Sequence, residues 1–289
     1  GTTGEPKGAM LTHRNVLSNV HSAIPRFSLN ENDVLVSFLP LCHMFERTCG
    51  YYCILMAGGS IAYAESIQTI REDVQLARPT VMIVVPRVLE KVYGAVRDKV
   101  QSGSALSRVL MISTLRTYSR YARLETGGRP IPLWLRLKHW LLGRLVVRKL
   151  KALGGGRLRL LVSASAPLDR RLARIIRNLG FNLLEGYGLT ETSPLATANP
   201  LTIREYSGSI GLPIPSTDLS IRDDEGRELG LGEAGEICIR GPQVMRGYWQ
   251  RPDETAKVMT ADGYLRTGDI GVVDEGGYAR IVDRKKDMI

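Results

Sequence analysis

The stretch 158–194 reads LRLLVSASAPLDRRLARIIRNLGFNLLEGYGLTETSP, and its texture decides the fold. The apolar run at 158–163 has the length of a buried strand. Pro167-Leu168-Asp169 fits a loop leading into a helix, and a helical pattern follows over 168–179. A second apolar run, 181–185 (FNLLE), leads into a glycine-containing loop. Strand, helix and strand in that order make a βαβ unit, the building block of parallel sheets.

The same alternation extends upstream. Strands are expected at 34–39, 60–64 and 80–85. Helices are expected at 13–24, 44–57, 67–77, 87–101, 105–123 and 133–152, with Pro86 marking one helix entry. The expected class is therefore α/β, with mostly parallel sheets flanked by helices. Near residue 205 the texture changes. Turn signals such as Asp224-Glu225-Gly226 and Ala261-Asp262-Gly263 separate short strand-like runs at 219–222, 235–240 and 278–282. That pattern reads as a small β-rich subdomain, expected to be a distorted barrel.

Composition sets outer bounds. Of 289 residues, 44% are apolar and 24% charged, ordinary values for a globular chain. The net charge of +10 favours anionic partners: phosphate ligands, acidic lipid or nucleic acid. Nucleic acid is disfavoured, because the basic segment lacks interleaved stacking aromatics beyond two Trp residues and no recognition motif occurs. No apolar run reaches the ~18 residues of a membrane span. Cys42, Cys49, Cys53 and Cys238 form no metal-ligand spacing and are expected to be buried, reduced thiols, Cys49 and Cys53 on one side of a helix. The expected location is cytoplasmic, at most peripheral to a membrane. The chain opens inside a glycine motif and stops at DRKKDMI, so it reads as a segment of a longer one.

Four motifs carry chemistry. GTTGEPKGA (1–9) interleaves Gly1, Gly4 and Gly8 with Thr2, Thr3 and Lys7. Glycine lets the backbone approach a phosphate and turn its N–H groups toward it, and the spacing is not that of a Walker A loop. The plainer reading is a flexible turn. EGYGLTETSP (185–194) follows a strand, where open α/β sheets place ligands. Tyr187 offers a face for a base, Thr190 a hydroxyl for a phosphate, and Glu191 a hard oxygen for Mg²⁺. A strand-ending turn with a surface Glu is the alternative. In YLRTGDIG (264–271), Asp269 can accept from both hydroxyls of a ribose, or simply stabilise a turn. VDRKKDMI (282–289) is a charge cluster that by itself suggests a solvated face.

Together, in this order and rough spacing, the four resemble the adenylate-forming superfamily: acyl-CoA synthetases, adenylation domains of peptide synthetases and firefly-type luciferases. LPLCHMFE (39–46), VPRVLEKVYGAV (85–96) and SASAPLD (163–169), with the basic helical stretch before it, look most like long-chain fatty acyl-CoA synthetases. The fold this implies is part of such an enzyme's N-terminal domain: a nucleotide- and acyl-binding core over 1–205, a β-rich unit over 206–282, and a hinge stub at 283–289. The implied substrates are a fatty acid, ATP and coenzyme A, with Mg²⁺.

The resemblance also implies roles. Thr2, Thr3, Gly4 and Lys7 would clamp the β- and γ-phosphates, Thr3 also reaching the metal. Thr190 would touch the α-phosphate and Glu191 would hold Mg²⁺. Ser165, Ala166 and Pro167 would form the adenine loop, with Gly186, Tyr187 and Gly188 enclosing the base. Here the chain departs from the Gly-Gly-Ala-Pro of many relatives, reading Ala164-Ser165-Ala166-Pro167. Asp269 and Arg284 would hold the ribose, Lys286 matches the hinge, and His43 matches a position lining the acyl–adenylate site. The family's essential lysine lies in a further domain, so the segment alone is expected to be inactive.

Two alternatives stand beside the coenzyme A ligase: an acyl-AMP ligase that transfers to a carrier-protein thiol, and a non-catalytic nucleotide- or lipid-binding module. Residues 133–152 (PLWLRLKHWLLGRLVVRKLK starts at 132) combine Trp134, Leu137, Leu141, Leu145 and Val146 with Arg136, Lys138, Arg144, Arg148, Lys149 and Lys151. This is either a basic amphipathic helix for an anionic membrane or a core helix with solvated cations.

Overall fold

The computed structural model describes residues 5–203 and 208–284, Arg284 by its backbone alone. The larger sheet has seven strands in the order β2-β1-β3-β4-β5-β6-β7. They are β1 (Val34–Ser37), β2 (Ser60–Tyr63), β3 (Val81–Val84), β4 (Leu160–Ser163), β5 (Leu183–Gly188), β6 (Leu195–Ala198) and β7 (Leu212–Pro213). β1 to β5 pair in parallel, while β6 and β7 add antiparallel.

β3 (VMIV) and β4 (LLVS) are buried at every position, as strands covered on both faces must be. Side chains alternate between the faces. Leu35, Val81, Ile83 and Val162 meet Phe45, Cys53 and Ile54 on one face. Val36, Met82, Val84 and Leu161 meet Val74, Leu89 and Leu172 on the other. The first face is covered by α1 (His13–Phe27) and by a helix that runs as a π-helix over Phe45–Tyr52 and continues as α2 (Cys53–Met56). The second is covered by α3 (Ile70–Ala77), α4 (Pro86–Gln101) and α8 (Arg170–Asn178).

Between β3 and β4 the chain makes a helical excursion through α5 (Ala105–Thr126), α6 (Leu133–Leu142) and α7 (Arg148–Leu153). It packs onto α8 through Tyr118, Leu142, Val147 and Leu179. The single helix expected over 133–152 is interrupted by π-helical winding at Gly143–Val147. A Cβ on Gly143 would lie 2.7 Å from Tyr118 Oη, so a larger residue there would displace the Tyr118 side chain.

The amino ends of β1, β3 and β4 are tied together by Asp33. Arg159 Nε donates to its Oδ1 at 2.8 Å, a second Arg159 nitrogen donates to Oδ2, and Thr80 Oγ1 donates to Oδ1 at 2.7 Å. Burial pushes the Asp33 carboxyl up, but these donors outweigh it and hold the group below the ordinary carboxylate range.

The smaller sheet is antiparallel, in the order β11-β10-β9-β8, from β8 (Asp218–Arg222), β9 (Gly235–Arg240), β10 (Leu265–Val273) and β11 (Ala279–Arg284). The expected barrel gives way to an open sheet, because four strands are too few to close around a filled interior. β7 lies past residue 205 yet pairs with β6, so the large sheet runs beyond the change in texture. β6, β10 and α9 (Pro252–Val258) were not expected from the sequence pattern. Cys49, Cys53 and Cys238 are buried, whereas Cys42, in the loop after β1, is exposed; all four are free. Among the described residues no helix is long and apolar enough to cross a membrane.

Candidate active site

β5 ends in Gly186-Tyr187-Gly188, wedged against antiparallel β6. A Cβ on Gly188 would fall 1.7 Å from the carbonyl oxygen of Pro194, so only glycine fits there. The chain then enters a 3-10 turn, Thr190–Thr192, with Thr190 exposed and Glu191 half-buried. Two contacts fix Glu191. Its backbone carbonyl accepts from Met245 N at 2.8 Å, and its Oε1 accepts from Tyr248 Oη at 2.7 Å.

Tyr248 reaches the other end of the site. Ala9 and Tyr248 form an antiparallel bridge, flanked by Trp249 N to Gly8 O at 2.7 Å and Met10 N to Gly247 O at 2.9 Å. Lys7 lies 5.3 Å from the centre of the Tyr248 ring and pairs with Glu254 on α9. Glu254 is held down to about 2, first by Lys257 and then by Lys7. Burial, then the hydrogen bond to Glu191, pushes the Tyr248 phenol well above its usual value, so it remains a proton donor. The described end of the glycine loop and the Thr-Glu turn thus share one tyrosine.

Tyr187 makes the next link. Its Oη donates to Asp269 Oδ2 at 2.6 Å, and both residues are buried. Tyr187 is 8% exposed and its ring packs with Ala196, Ile221, Ile237 and Ile239, so only a small part of the expected stacking face is open to a base. Asp269 stands on β10 directly opposite Arg284 on β11, which brings the two expected ribose positions into register. Thr2, Thr3, Gly4 and Lys286 lie outside the described residues, as does the Arg284 side chain.

Support comes from α1. Asn15 Nδ2 donates to the carbonyls of Pro242 and Val244 at 2.7 and 2.9 Å. One turn on, Asn19 Nδ2 donates to those of Thr192 and Leu195 at 3.2 and 2.6 Å. Both asparagines are buried, so each loop they hold loses a buried partner if they are removed.

A second feature lies where the strand order reverses, between β1 and β3. Open parallel sheets form ligand crevices at this point, outside the carboxyl ends of the strands. A cavity of ≈ 140 Å³ sits there, walled by Leu39, Phe45 and Val85, with His43, Ser165 and Glu46 on its lining. Ser165 takes a left-handed backbone (φ 75°), turning the chain out of β4 so that Ala166 and Pro167 are exposed beside β5. Glu46 is buried on the π-helix. Its Oε1 accepts from Ser37 Oγ at 2.5 Å, and its buried Oε2 has no hydrogen-bond partner among the described residues. Burial raises this carboxyl to about 7.

Among the described residues no three His, Cys, Asp or Glu side chains group as a metal site. Glu191 nevertheless suits Mg²⁺. Its Oε1 is oriented by Tyr248, and a single carboxylate with substrate phosphates completing the shell is the usual arrangement for that ion. Sequence reasoning missed Tyr248, Asn15, Asn19 and Glu46. Asn15 and Asn19 did carry a signal, two amides at the i, i+4 spacing of one helix face. Tyr248 and Glu46 carried none, since their partners are remote or set by burial.

The comparisons with known proteins bear on the family and the fold. A long-chain-fatty-acid–CoA ligase of Yersinia pestis is 39% identical over 293 residues, covering all of this chain and 43% of that protein. The ligase FadD15 of Mycobacterium bovis is 35% identical, covering all of this chain and 46% of that protein. The chain therefore spans less than half the length of these relatives. The ATP-bound structure of MatB from Rhodopseudomonas palustris superposes with a TM-score of 0.73 at 29% identity, over all of this chain and 47% of that one. The family described as AMP-binding enzyme matches residues 1–249, and this chain belongs to it.

Proposed function

We propose that this chain is the nucleotide- and acyl-binding part of a ligase that activates a long-chain fatty acid with ATP and passes it to coenzyme A. The observation that carries this is the pair of contacts Lys7–Tyr248–Glu191 and Tyr187–Asp269, which link residues of three separate motifs and support a shared site for them.

In this reading the fatty-acid carboxylate oxygen bonds to the α-phosphorus of ATP, and pyrophosphate leaves with the electron pair. The thiol of coenzyme A then attacks the acyl carbon, and AMP leaves. Both first-step reactants are anions, so positioning and charge compensation dominate. Mg²⁺, held by Glu191 and by Thr3, would supply charge neutralisation at the phosphates. Tyr248 keeps the Glu191 carboxylate oriented. Thr2, Gly4 and Lys7 clamp the outer phosphates, and Thr190 donates to the α-phosphate. Asp269 and Arg284 hold the ribose. Gly186, Tyr187, Gly188 and the Ser165-Ala166-Pro167 turn border the adenine. His43 lines the acyl–adenylate cavity, and Lys286 serves as the hinge. The division into units at about residues 205 and 282 belongs to the same proposal.

The test is pyrophosphate release by the full-length protein across fatty acids of graded length, with coenzyme A and a carrier-protein thiol compared as acceptors. Acid-dependent release that vanishes in Glu191→Ala is the expected result. Nucleotide binding without acid-dependent release would leave a non-catalytic module, and acyl transfer to the carrier protein alone would make it an acyl-AMP ligase.

We also propose a cytoplasmic location with peripheral contact to anionic membrane through 133–152. On α6 the outward face is apolar: Leu133, Leu137 and Trp140 are 80%, 64% and 56% exposed. Arg144 lies 5.3 Å from the Trp140 ring and Arg120 5.0 Å from the Trp134 ring. Apolar side chains outward with cations beside them suit a lipid interface.

A further inference from the structure

A second cleft lies at the other end of the sheet from the nucleotide loops. It is bordered by Arg78, just before β3, by Gly156, before β4, and by Tyr118, Arg148 and Lys151, with a volume of ≈ 470 Å³. None of its lining residues is acidic. Arg78, Arg148 and Lys151 form no ion pair among the described residues. Arg78 caps α3 in a left-handed conformation (φ 48°), and its Nε donates to Gly155 O at 3.3 Å, leaving its other donors without a protein partner among the described residues. Lys151 Nζ sits 5.8 Å from the centre of the Phe181 ring.

Three like charges brought into one cleft repel one another, and a carboxylate is the usual remedy. Here none is supplied, so the cleft has the potential of an anion site. Two guanidinium forks and one ammonium match a phosphate, which accepts bidentate bonds from Arg and a point charge from Lys. The phosphates of ATP are not the candidates, since the strands are parallel and the nucleotide loops leave their opposite, carboxyl ends.

The source is indicated by the surroundings. Gly143, Val147, Arg148 and Lys151 on the cleft belong to the same helical run that carries the exposed Leu137 and Trp140. That run is held rigidly: His139 stacks between Tyr118 and Tyr121 at 3.9 and 4.1 Å, and Tyr118 Oη donates to His139 O at 3.3 Å. We infer that this cleft binds the phosphate of an anionic phospholipid headgroup while the neighbouring α6 face lies in the bilayer interface. The inference rests on the membrane contact proposed above. It leaves the nucleotide end of the sheet facing away from the lipid, open to ATP and pyrophosphate.

The test is cosedimentation of the full chain with phosphatidylcholine vesicles, with and without phosphatidic acid. Arg148→Gln/Lys151→Gln removes two cleft cations. Arg136→Gln/Lys138→Gln removes two exposed α6 cations off the cleft, and Leu137→Ser/Trp140→Ser removes the apolar face. A diffuse basic surface loses about fivefold in affinity per cation wherever it lies. The cleft pair is expected to lose at least tenfold more than the off-cleft pair on phosphatidic acid vesicles, and glycerol 3-phosphate is expected to compete with wild type. Equal losses from the two pairs overturn the cleft site while leaving the membrane contact standing. Absence of vesicle binding by wild type, or binding indifferent to Leu137→Ser/Trp140→Ser, overturns the membrane contact itself. Glycerol 3-phosphate binding by wild type that the cleft pair abolishes, without any vesicle binding, overturns the lipid source in favour of a free phosphate compound. Glycerol 3-phosphate competition on wild type keeps the inference falsifiable if a variant melts early.

Discussion

Replacing Tyr248 by Phe removes one oxygen and leaves the ring in place. That oxygen donates to Glu191 Oε1 at 2.7 Å, and the tyrosine is half-buried, so water replaces the contact poorly. The ring's approach to Lys7 and the backbone pairing of 246–249 with 8–10 do not depend on it. What is lost is the orientation of a carboxylate that, in the proposed function, holds Mg²⁺. Removing an outer partner of a metal ligand typically costs 10–100-fold in metal affinity, so Mg-ATP affinity should fall by roughly that factor. Titrating a fluorescent ATP analogue at several Mg²⁺ concentrations measures it. The loss should shrink as Mg²⁺ is raised and be absent for the nucleotide in EDTA. Because burial and Glu191 both raise the Tyr248 pKa, the phenol stays protonated and the effect should be constant from pH 6 to 9, a range of about three units around neutrality. Unchanged Mg-ATP affinity in a folded Tyr248→Phe protein would refute the role given to Tyr248 in orienting Glu191 for Mg²⁺.

Three further outcomes follow from the same geometry. Gly188→Ala places a Cβ 1.7 Å from Pro194 O, so thermal melting and soluble yield should show severe destabilisation; a normal melt would show that β5 and β6 can separate at no cost. Arg159→Gln removes the cation from the Asp33 carboxylate, whose side chain is 2% exposed, while Thr80 and Asn30 still donate to it, and should cost about 3 kcal/mol at neutral pH by urea unfolding, the low end for a buried pair because Arg159 is 33% exposed. In the wild type the stability from Asp33 is present above the ordinary carboxylate pKa and lost as pH falls through its depressed folded value, so the variant should show a flatter acid limb. Glu46 runs the opposite way. Its folded carboxyl is raised to about 7, so stability falls as pH rises from the unfolded value of 4.5 toward 7, by at most ~3 kcal/mol, and Glu46→Gln should remove that fall in unfolding curves taken at pH 4.5, 6 and 8.

The parallel core was legible because its strands are covered on both faces. Such strands read as continuous apolar runs, and 80–85 and 158–163 could be little else. β6 and β10 were harder to see. LATA (195–198) is small and mixed, and LRTGDIGVV (265–273) holds two glycines, so neither has the signature of a strand; pairing with neighbours decides them. α9 is seven residues long, too short for periodicity to speak. On α6 the sequence announced cations and tryptophans but not which way they face. Packing of Leu135 and Leu142 inward turns Leu137 and Trp140 out.

The chain's own letters determined the order of strand and helix and the residue types fit for phosphate, metal and ribose, because local conformation and side-chain chemistry are properties of short segments. Glycine at 188, a carboxylate at 191 and another at 269 are visible without any coordinates. Only the tertiary structure decided that Tyr248 bridges Lys7 to Glu191, that Tyr187 spends its hydroxyl on Asp269, and that Asp269 faces Arg284. These partners are separated by up to hundreds of positions, and what brings them together is the burial of two sheets, which no local pattern encodes.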